Sequence, residues 1–217
     1  MITPLPRLGN GVCCDYNVYM KVTRERAAQN RRALVRAASK LFRRYGIDGV
    51  GVADIGREAG LTHGALYGQF ASKQALAAAA LTDALDRSYE KMMTLAEGND
   101  FPMGTYLDYY INRPHRDDIS KGCAMTASGS EVARQEKNVS RAFTDGFERF
   151  AKTLEAAMDN GAPLRSTPRQ RALTIAAGCI GAIVAARAVA KADPALSDDI
   201  IGATRRVLGE IGGERFP

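Results

Sequence analysis

Residues 52–76 decide the fold, and they read VADIGREAGLTHGALYGQFASKQAL. Three apolar residues share one face of a short helix over residues 52–59, and Gly60 can take the positive φ that a tight stop requires. A second helix is expected over residues 62–70, with Thr62 as its N-cap. Two short helices joined by such a turn form a helix-turn-helix.

Helical periodicity continues on both sides of this stretch. Upstream, apolar residues recur at steps of three and four over residues 23–45, with Thr23 as the expected N-cap and Gly46 as the stop. Downstream, Ser72 is the expected cap of a long helix over residues 73–97. The remaining expected helices cover residues 103–112, 122–134, 137–159, 168–191 and 195–211. Because no strand alternation competes with this pattern, the sequence predicts an all-α fold.

The net charge is concentrated in one block of the chain. The sequence holds 30 Lys and Arg against 24 Asp and Glu, a formal charge of +6. Residues 21–80 carry eleven basic and four acidic side chains, or +7, whereas residues 81–217 carry 18 basic and 19 acidic ones, or −1. A localised basic block favours a polyanionic partner, although a solvated helix face would show the same excess.

The central stretch, together with AASKLFRRYGIDG at residues 37–49, resembles the DNA-binding motif of the TetR family of transcriptional regulators. In that family the first helix ends in an apolar pair and a glycine turn, and the reading helix runs from Ser or Thr to an aliphatic-Tyr-x-x-Phe tail and a Ser-Lys cap. The matching residues are Leu41, Phe42, Gly46, Thr62, Leu66, Tyr67, Phe70, Ser72 and Lys73. The resemblance covers roughly residues 23–80.

The resemblance implies a particular all-α architecture. An N-terminal three-helix helix-turn-helix DNA-binding domain over residues 21–80 would precede a larger C-terminal helical domain for effector binding and dimerisation over residues 81–217. Residues 1–20 are expected to be a disordered leader or a mis-assigned start. The expected partners are a double-stranded DNA operator, a second copy of the chain and an unknown small-molecule effector.

The reading helix opens with small or hydrogen-bonding residues that permit close approach to the major groove. The positive end of its dipole also favours phosphate. The resemblance implies that Thr62, Tyr67 and Lys73 bind phosphates and that His63 contacts base edges. The expected DNA-binding residues are Thr62, His63, Gly64, Ala65, Tyr67 and Lys73.

Three positions depart from the family pattern. Gly51 stands where a Thr or Ser commonly caps the second helix, so one phosphate contact is expected to be missing. Gly56 stands where Ala is usual, at a cost of about 1 kcal/mol in helix propensity. Gln69 replaces the usual His or aromatic residue before Phe70.

The second half offers candidate surfaces for dimerisation and for an effector. By resemblance, the last two long helices pair across a two-fold axis into a four-helix bundle, and small residues over 168–191 would allow close approach. A buried helix within one chain is the alternative. The candidate effector-pocket residues, which could equally be ordinary core, are Met92, Tyr106, Tyr110, Cys123, Met125 and Phe147.

Cys123 has a second possible role. It begins an expected helix, where the dipole and nearby Lys121 favour the thiolate, so it could sense an oxidant or electrophile. An inert buried cysteine is the competing interpretation.

Other function classes find little support in the sequence. The two histidines, His63 and His115, lie apart, and neither a nucleophile elbow nor a metal-ligand spacing is present, so we expect no enzyme, no metal and no cofactor. The longest apolar stretch, residues 175–186, is shorter than the roughly 18 residues that span a bilayer. A cytoplasmic location without membrane association is therefore expected.

Overall fold

The computed structural model describes residues 12–95, 101–158 and 166–214, with side chains from residue 23 onwards except that of His63. These residues form ten α-helices, so the all-α prediction is confirmed. In chain order they are α1 (Val12–Tyr45), α2 (Val52–Glu58), α3 (His63–Tyr67), α4 (Lys73–Met93), α5 (Met103–Tyr110), α6 (Arg113–Asp117), α7 (Ala124–Val132), α8 (Lys137–Ala156), α9 (Pro168–Val189) and α10 (Pro194–Ile211).

The first helix is longer than its periodicity predicted. It begins at Val12, so Thr23 lies inside it and is not its N-cap. Residues 1–11 lie outside the described residues, and the leader expected over residues 1–20 stays a prediction. The predicted stop is confirmed, because Gly46 has a φ of +78°, a value that side chains with a Cβ rarely adopt.

Helices α1 to α3 pack together and against α4 around a small apolar core. Leu34 of α1, Ile55 of α2 and Leu66 of α3 are each completely buried in it. We call α1, α2, α3 and the connection as far as Lys73 the reading head. Both turns of the reading head depend on glycine. Gly46 ends α1, and Gly60, after α2, has a φ of +67° as predicted.

Helices α4 and α8 approach closely at a glycine. A Cβ on Gly146 would lie 2.5 Å from Leu85 Cδ1, so the glycine allows the two helices to touch. One turn further along α8, the Arg149 Nη2 atom donates to the Asp86 carboxylate on α4 at 2.6 Å. Gly146 and Arg149 therefore hold one edge of the larger helical part of the chain in place.

Helix α9 is the core helix of the second half and packs against α6, α7, α8 and α10. Among the described residues it is the helix long and apolar enough to cross a membrane by length and composition. The helix extends on both sides of the uninterrupted apolar stretch of residues 175–186. Its fully buried residues include Ile175, Cys179 and Ile183, which face the neighbouring helices of the same chain. A core helix of this kind meets the same criterion as a membrane span, so the criterion alone is weak evidence for a membrane.

A short polar helix that the sequence did not predict, α6, lies between α5 and α7. Its N-cap Asn112 accepts a hydrogen bond from the His115 N–H at 2.8 Å. Arg113 and Arg116 both pair with Asp198 of α10, at 2.6 and 2.9 Å. These cross-links fasten α6 to the end of the chain.

One face of α9 and α10 remains exposed and carries small or apolar side chains. On α9 its members lie at steps of three or four, and a Cβ on Gly181 would meet nothing within 4 Å. The exposed members on the two helices are Ala177, Gly181, Val184, Ala188, Leu196, Ala203 and Val207. Several other small residues of α9, among them Ala172, Ala176 and Ala182, are buried within the chain.

Candidate nucleic-acid interface and ligand cavity

The turn between α2 and α3 holds the two helices in close contact. The Leu61 N–H donates to the Gly56 carbonyl at 2.9 Å, and a Cβ on Gly56 would lie 3.1 Å from the Leu61 carbonyl oxygen. Glycine at position 56 therefore lowers helix propensity, but it also leaves room for this turn. At the start of α2, Gly51 is the N-cap, and its own N–H donates to the Asp54 carboxylate at 3.3 Å.

The outer face of α3 is open. Thr62 and Gly64 are exposed, Tyr67 is 54% exposed, and a Cβ on Gly64 would meet nothing within 4 Å. Thr62 is the N-cap, but its side chain does not make the capping hydrogen bond that the sequence predicted. Helix α3 also ends at Tyr67, short of the predicted residue 70, because the chain turns there towards buried Phe70.

Two further expected DNA-binding residues lie beside this face. Ala65 is partly exposed on α3, and Lys73 opens α4 with a partly exposed side chain. Ser72 caps that helix as predicted, accepting from the Ala75 N–H at 3.0 Å. His63 is the first residue of α3, and its side chain lies outside the described side chains.

Part of the positive charge of the reading head is used internally. Arg31 donates to the Gln69 carbonyl at 2.8 Å and lies 4.1 Å from the centroid of the Phe70 ring. Lys40 pairs with Glu58 at 2.6 Å. Other arginines of α1 are exposed and have no carboxylate within ion-pair distance in the part of the chain that the structure describes. These are Arg24, Arg26, Arg32 and Arg36.

A cavity of about 620 Å³ lies between the end of α1 and helices α4 to α8. Five of the six residues expected to form an effector pocket line it, and a neighbour on α5, Tyr109, lines it as well. The five are Met92, Tyr106, Tyr110, Cys123 and Met125.

The expectation fails for Phe147, which does not line this cavity. Its ring stacks on Phe143, one turn earlier on α8, with centroids 6.3 Å apart. Gly146, Arg149 and Phe150 of the same helix face the cavity instead. The periodicity of α8 identified its apolar residues but not which of them would meet this space.

Sequence reasoning also missed the basic residues of the wall. Arg43, Arg87 and Arg149 line the cavity, although their spacing marked them only as charged helix positions. Arg43 in particular was counted with the basic block of the reading head. Its position one residue after buried Phe42, on the side of α1 that faces α4, could have indicated an inward direction.

His115 connects α5 to the start of α7. Its Nδ1–H donates to the Tyr110 carbonyl at 2.6 Å, and its Nε2 accepts from the Cys123 N–H at 3.0 Å. This pair of hydrogen bonds requires a neutral imidazole ring. Burial lowers the pKa of His115, which also favours the neutral ring. The imidazole therefore fixes the position of Cys123 on the cavity wall.

Helix α7 joins the cavity to the reading head. It starts after Cys123, and at its other end the Glu131 carboxylate accepts from the Asp48 N–H at 2.9 Å. Gln135, just beyond the helix, donates to the Asp48 carboxylate at 3.0 Å and accepts from Gln74 of α4 at 2.8 Å. Helix α7 and the residues just after it therefore hold the turn before α2, and the opposite end of α7 lines the cavity.

The described part of the chain contains no candidate metal-binding cluster. No group of three or more His, Cys, Asp or Glu side chains there is arranged to hold a metal ion.

Sequence comparison places residues 34–80 in a family described as bacterial regulatory proteins, tetR family. The chain is similar to the A-factor receptor protein of Streptomyces griseus, with 43% identity over 58 residues, which cover 27% of this chain and 21% of that protein. It is also similar to the transcriptional regulator TtgR of Pseudomonas putida, with 33% identity over 78 residues, which cover 36% of this chain and 37% of that protein. The matches thus span well under half of either relative.

Solved structures extend the likeness to the whole fold. Reduced NemR of E. coli superposes with a TM-score of 0.70 at 21% identity, covering 84% of this chain and 97% of that one. A TetR family regulator from Agrobacterium tumefaciens gives 0.70 at 22% identity, covering 86% and 99%. The family consists of DNA-binding regulators rather than enzymes, in agreement with the expectation from the sequence. Residues 34–80 thus carry the DNA-binding motif of the TetR family of transcriptional regulators, and the chain as a whole shares the fold of solved members of that family.

Proposed function

We propose that this chain binds a palindromic DNA operator as a homodimer, represses transcription there and releases the DNA when a small molecule enters the cavity. The observation that carries the proposal is the physical connection between the two sites through α7. Its first turn lies beside the cavity at Cys123, and Glu131 near its other end holds the turn that precedes α2. A ligand that displaces α7 would therefore displace the reading head.

DNA binding is supported by the open face of α3 and the exposed arginines of α1. Thr62, Tyr67 and Lys73 are accessible to phosphate, and Gly64 lets the helix approach base edges without a side chain in the way. His63 is the candidate for base contact. Such a regulator would act in the cytoplasm, where the DNA is.

Dimerisation is supported by the exposed face of α9 and α10. Large apolar side chains such as Val184 and Val207 are 42% and 51% exposed there, and small residues between them would allow two chains to approach closely. A dimer also serves DNA recognition, since one short reading helix gives modest affinity whereas two reading heads about one DNA turn apart read a palindrome.

Release by a ligand requires a difference in affinity between two states. The ligand must bind the state that is free of DNA more tightly than the DNA-bound state, or the equilibrium does not move. A cavity of about 620 Å³ with aromatic and methionine walls is of the size that small organic molecules occupy. One relative, the A-factor receptor protein, is described by its name as a receptor.

Selection of binding sites from random DNA by the purified protein tests the core of this proposal. We expect a palindrome with half-sites about 10 base pairs apart. His63→Ala should change the preferred bases, whereas Tyr67→Phe should weaken binding to all sequences. Footprinting of the DNA next to the protein's own gene then checks the site in its natural setting. Failure to enrich any sequence would contradict the proposal, and an asymmetric site bound by one chain would contradict the dimer.

A second candidate is a DNA-binding regulator without a reversibly bound small-molecule effector, acting either as an activator or as a redox sensor through Cys123. The second form is the one that a specific observation favours. Cys123 lies partly exposed on the cavity wall, within reach of a molecule that enters it. Lys121, however, is 85% exposed and pairs with Asp118 at 3.5 Å, so it gives the thiol little direct support. Cys123→Ser should abolish release of DNA by a quinone in this case. Cys179→Ser is the matched control, because Cys179 is fully buried.

A further inference from the structure

The reading head contributes a cation to the cavity wall. Arg43 lies in the last turn of α1, and its Nε atom is buried with no hydrogen-bond partner in the described part of the chain. No carboxylate there lies within ion-pair distance of its guanidinium. Burial, reinforced by the neighbouring Arg87, lowers the pKa of Arg43, so the protein itself leaves this charge poorly compensated.

A second buried donor in the same cavity, which lies beside the Cys123 thiol, lacks an oxygen or nitrogen acceptor. Tyr110 is only 5% exposed, and its hydroxyl has no oxygen or nitrogen partner among the described residues. Burial raises the pKa of Tyr110 well above its usual value, and the adjacent Cys123 thiol adds to this, so the group stays an O–H donor. Buried polar groups in folded proteins nearly always have partners, and exceptions point to a missing acceptor.

The other two arginines of the wall are paired with acids, which distinguishes them from Arg43. Arg87 pairs with Asp83 four residues away on α4. Arg149 pairs with Asp86 at 2.6 Å. Among the described residues that line the cavity, Asp118 is the carboxylate, and it already pairs with Lys121. The lining therefore offers positive charge and donors but no free acceptor of comparable strength.

Much of the rest of the wall is aromatic and apolar, although polar side chains also line it. Tyr106 and Phe150 meet edge to face with centroids 5.7 Å apart, and Met92 and Met125 complete the surface. A ligand that fits such a wall has a flat apolar body. The unpaired guanidinium requires an anionic group, and arginine matches the geometry of a carboxylate well.

We propose that the cavity binds a small organic carboxylate with an aromatic body, and that its carboxylate pairs with Arg43 while an oxygen of the ligand accepts from Tyr110. This inference rests on the proposed function, because it names the chemical class of the effector that would enter the same cavity. Since Arg43 belongs to α1, the ligand contacts the helix that carries the reading head directly, in addition to the route through α7.

Three probes of one shape test the charge of the ligand: 2-naphthoate, the neutral 2-naphthamide and the cationic 2-naphthylmethylamine. Calorimetry on the DNA-free protein measures their binding. We expect the acid to bind at least about tenfold more tightly than the amide and the amine to bind weakest. The proposal is overturned if the amide or the amine binds as tightly as the acid, or if the acid shows no binding at about 10 mM.

Substitution of Arg43 tests the position of the anion. Arg43→Met should weaken binding of 2-naphthoate about tenfold and leave the amide unchanged. Arg44→Met is the matched control, since Arg44 is the next residue of the same helix, is exposed and does not line the cavity. An equal effect of both substitutions, or none of Arg43→Met, would rule out the Arg43 contact.

A ligand-free measurement separates a binding role from a structural one. If Arg43 serves a ligand, Arg43→Met removes an uncompensated charge and leaves the melting temperature unchanged or higher. A clear fall would mean that Arg43 holds the fold, and the proposal would be wrong. The affinity of the protein for its operator is measured separately. If 2-naphthoate binds but leaves operator affinity unchanged, the ligand class is supported and ligand-induced release is contradicted. If the protein binds an operator but not 2-naphthoate, the DNA-binding function is supported and this inference is contradicted.

Discussion

The reading head and the cavity region, which comprises α4 to α8, differ in how their polar side chains find hydrogen-bond partners. In the reading head, basic side chains such as Arg31 and Lys40 find partners nearby, and the turns end on glycines that allow their unusual φ values. At the cavity wall, by contrast, the Nε atom of Arg43, which α1 contributes, and the Tyr110 hydroxyl of α5 are buried without an oxygen or nitrogen partner among the described residues. A unit that presents a fixed helix to its target needs an internally complete structure, whereas a unit that receives a ligand leaves groups for the ligand to satisfy.

The largest difference between the two regions should appear on truncation of buried side chains. Leu66→Ala, in the sealed core of the reading head, should cost about 3 kcal/mol of unfolding free energy, because it opens a new cavity. Met92→Ala should cost about 1 kcal/mol less, because Met92 borders space that already exists. Urea denaturation measures both. Equal losses would mean that the cavity collapses in solution.

The connection between the regions should respond to loss of Glu131. Glu131→Ala leaves the Asp48 N–H without its acceptor and should lower stability by about 1 kcal/mol. It should also reduce the effect of a cavity ligand on operator affinity, which a titration of labelled operator with and without ligand measures. Glu136→Ala, at an exposed position before α8, is the control and should leave both values unchanged. Full coupling in the Glu131 variant would show that α7 is not the route.

Loss of a single phosphate contact should affect only the reading head. Lys73→Ala should weaken binding to all DNA sequences several-fold and reduce the slope of log affinity against log salt by about one. Binding of the cavity ligand should not change. Lys152→Ala, on α8 and paired with Glu148, is a charge-matched control. A Lys73 variant with altered sequence preference would instead make Lys73 a base-reading residue.

The smallest expected effect is a pH dependence confined to the cavity region. The folded state favours neutral His115, whose pKa lies below the unfolded value of about 6.5. Its contribution, below about 1 kcal/mol, is present above pH 6.5 and is lost as the pH falls through the lowered folded-state pKa. Urea denaturation between pH 7.5 and 5, at steps of about half a unit, should show a decline that His115→Asn removes and His63→Asn retains. Identical profiles for all three proteins would exclude this role for His115.

Local rules predicted the reading head better than the cavity region. The stops at Gly46 and Gly60 and the cap at Ser72 follow from residue types at helix ends, and all three are present. The lengths of α1 and α3 were less well predicted, because packing and the exit of the chain set where a helix ends. Helix α6 was missed since its stability comes from the Asn112 cap and from contacts with α10, not from an apolar period.

The sequence by itself determined the helical class, the turn chemistry and the motif that defines the family, because each depends on residues close together in the chain. The tertiary structure decided which side chains share the cavity. It turned Phe147 away from that space, brought Arg43 of α1 into it and placed α7 between it and the turn before α2. These relations depend on how helices rotate and cross when they pack, and no spacing along a single helix specifies that.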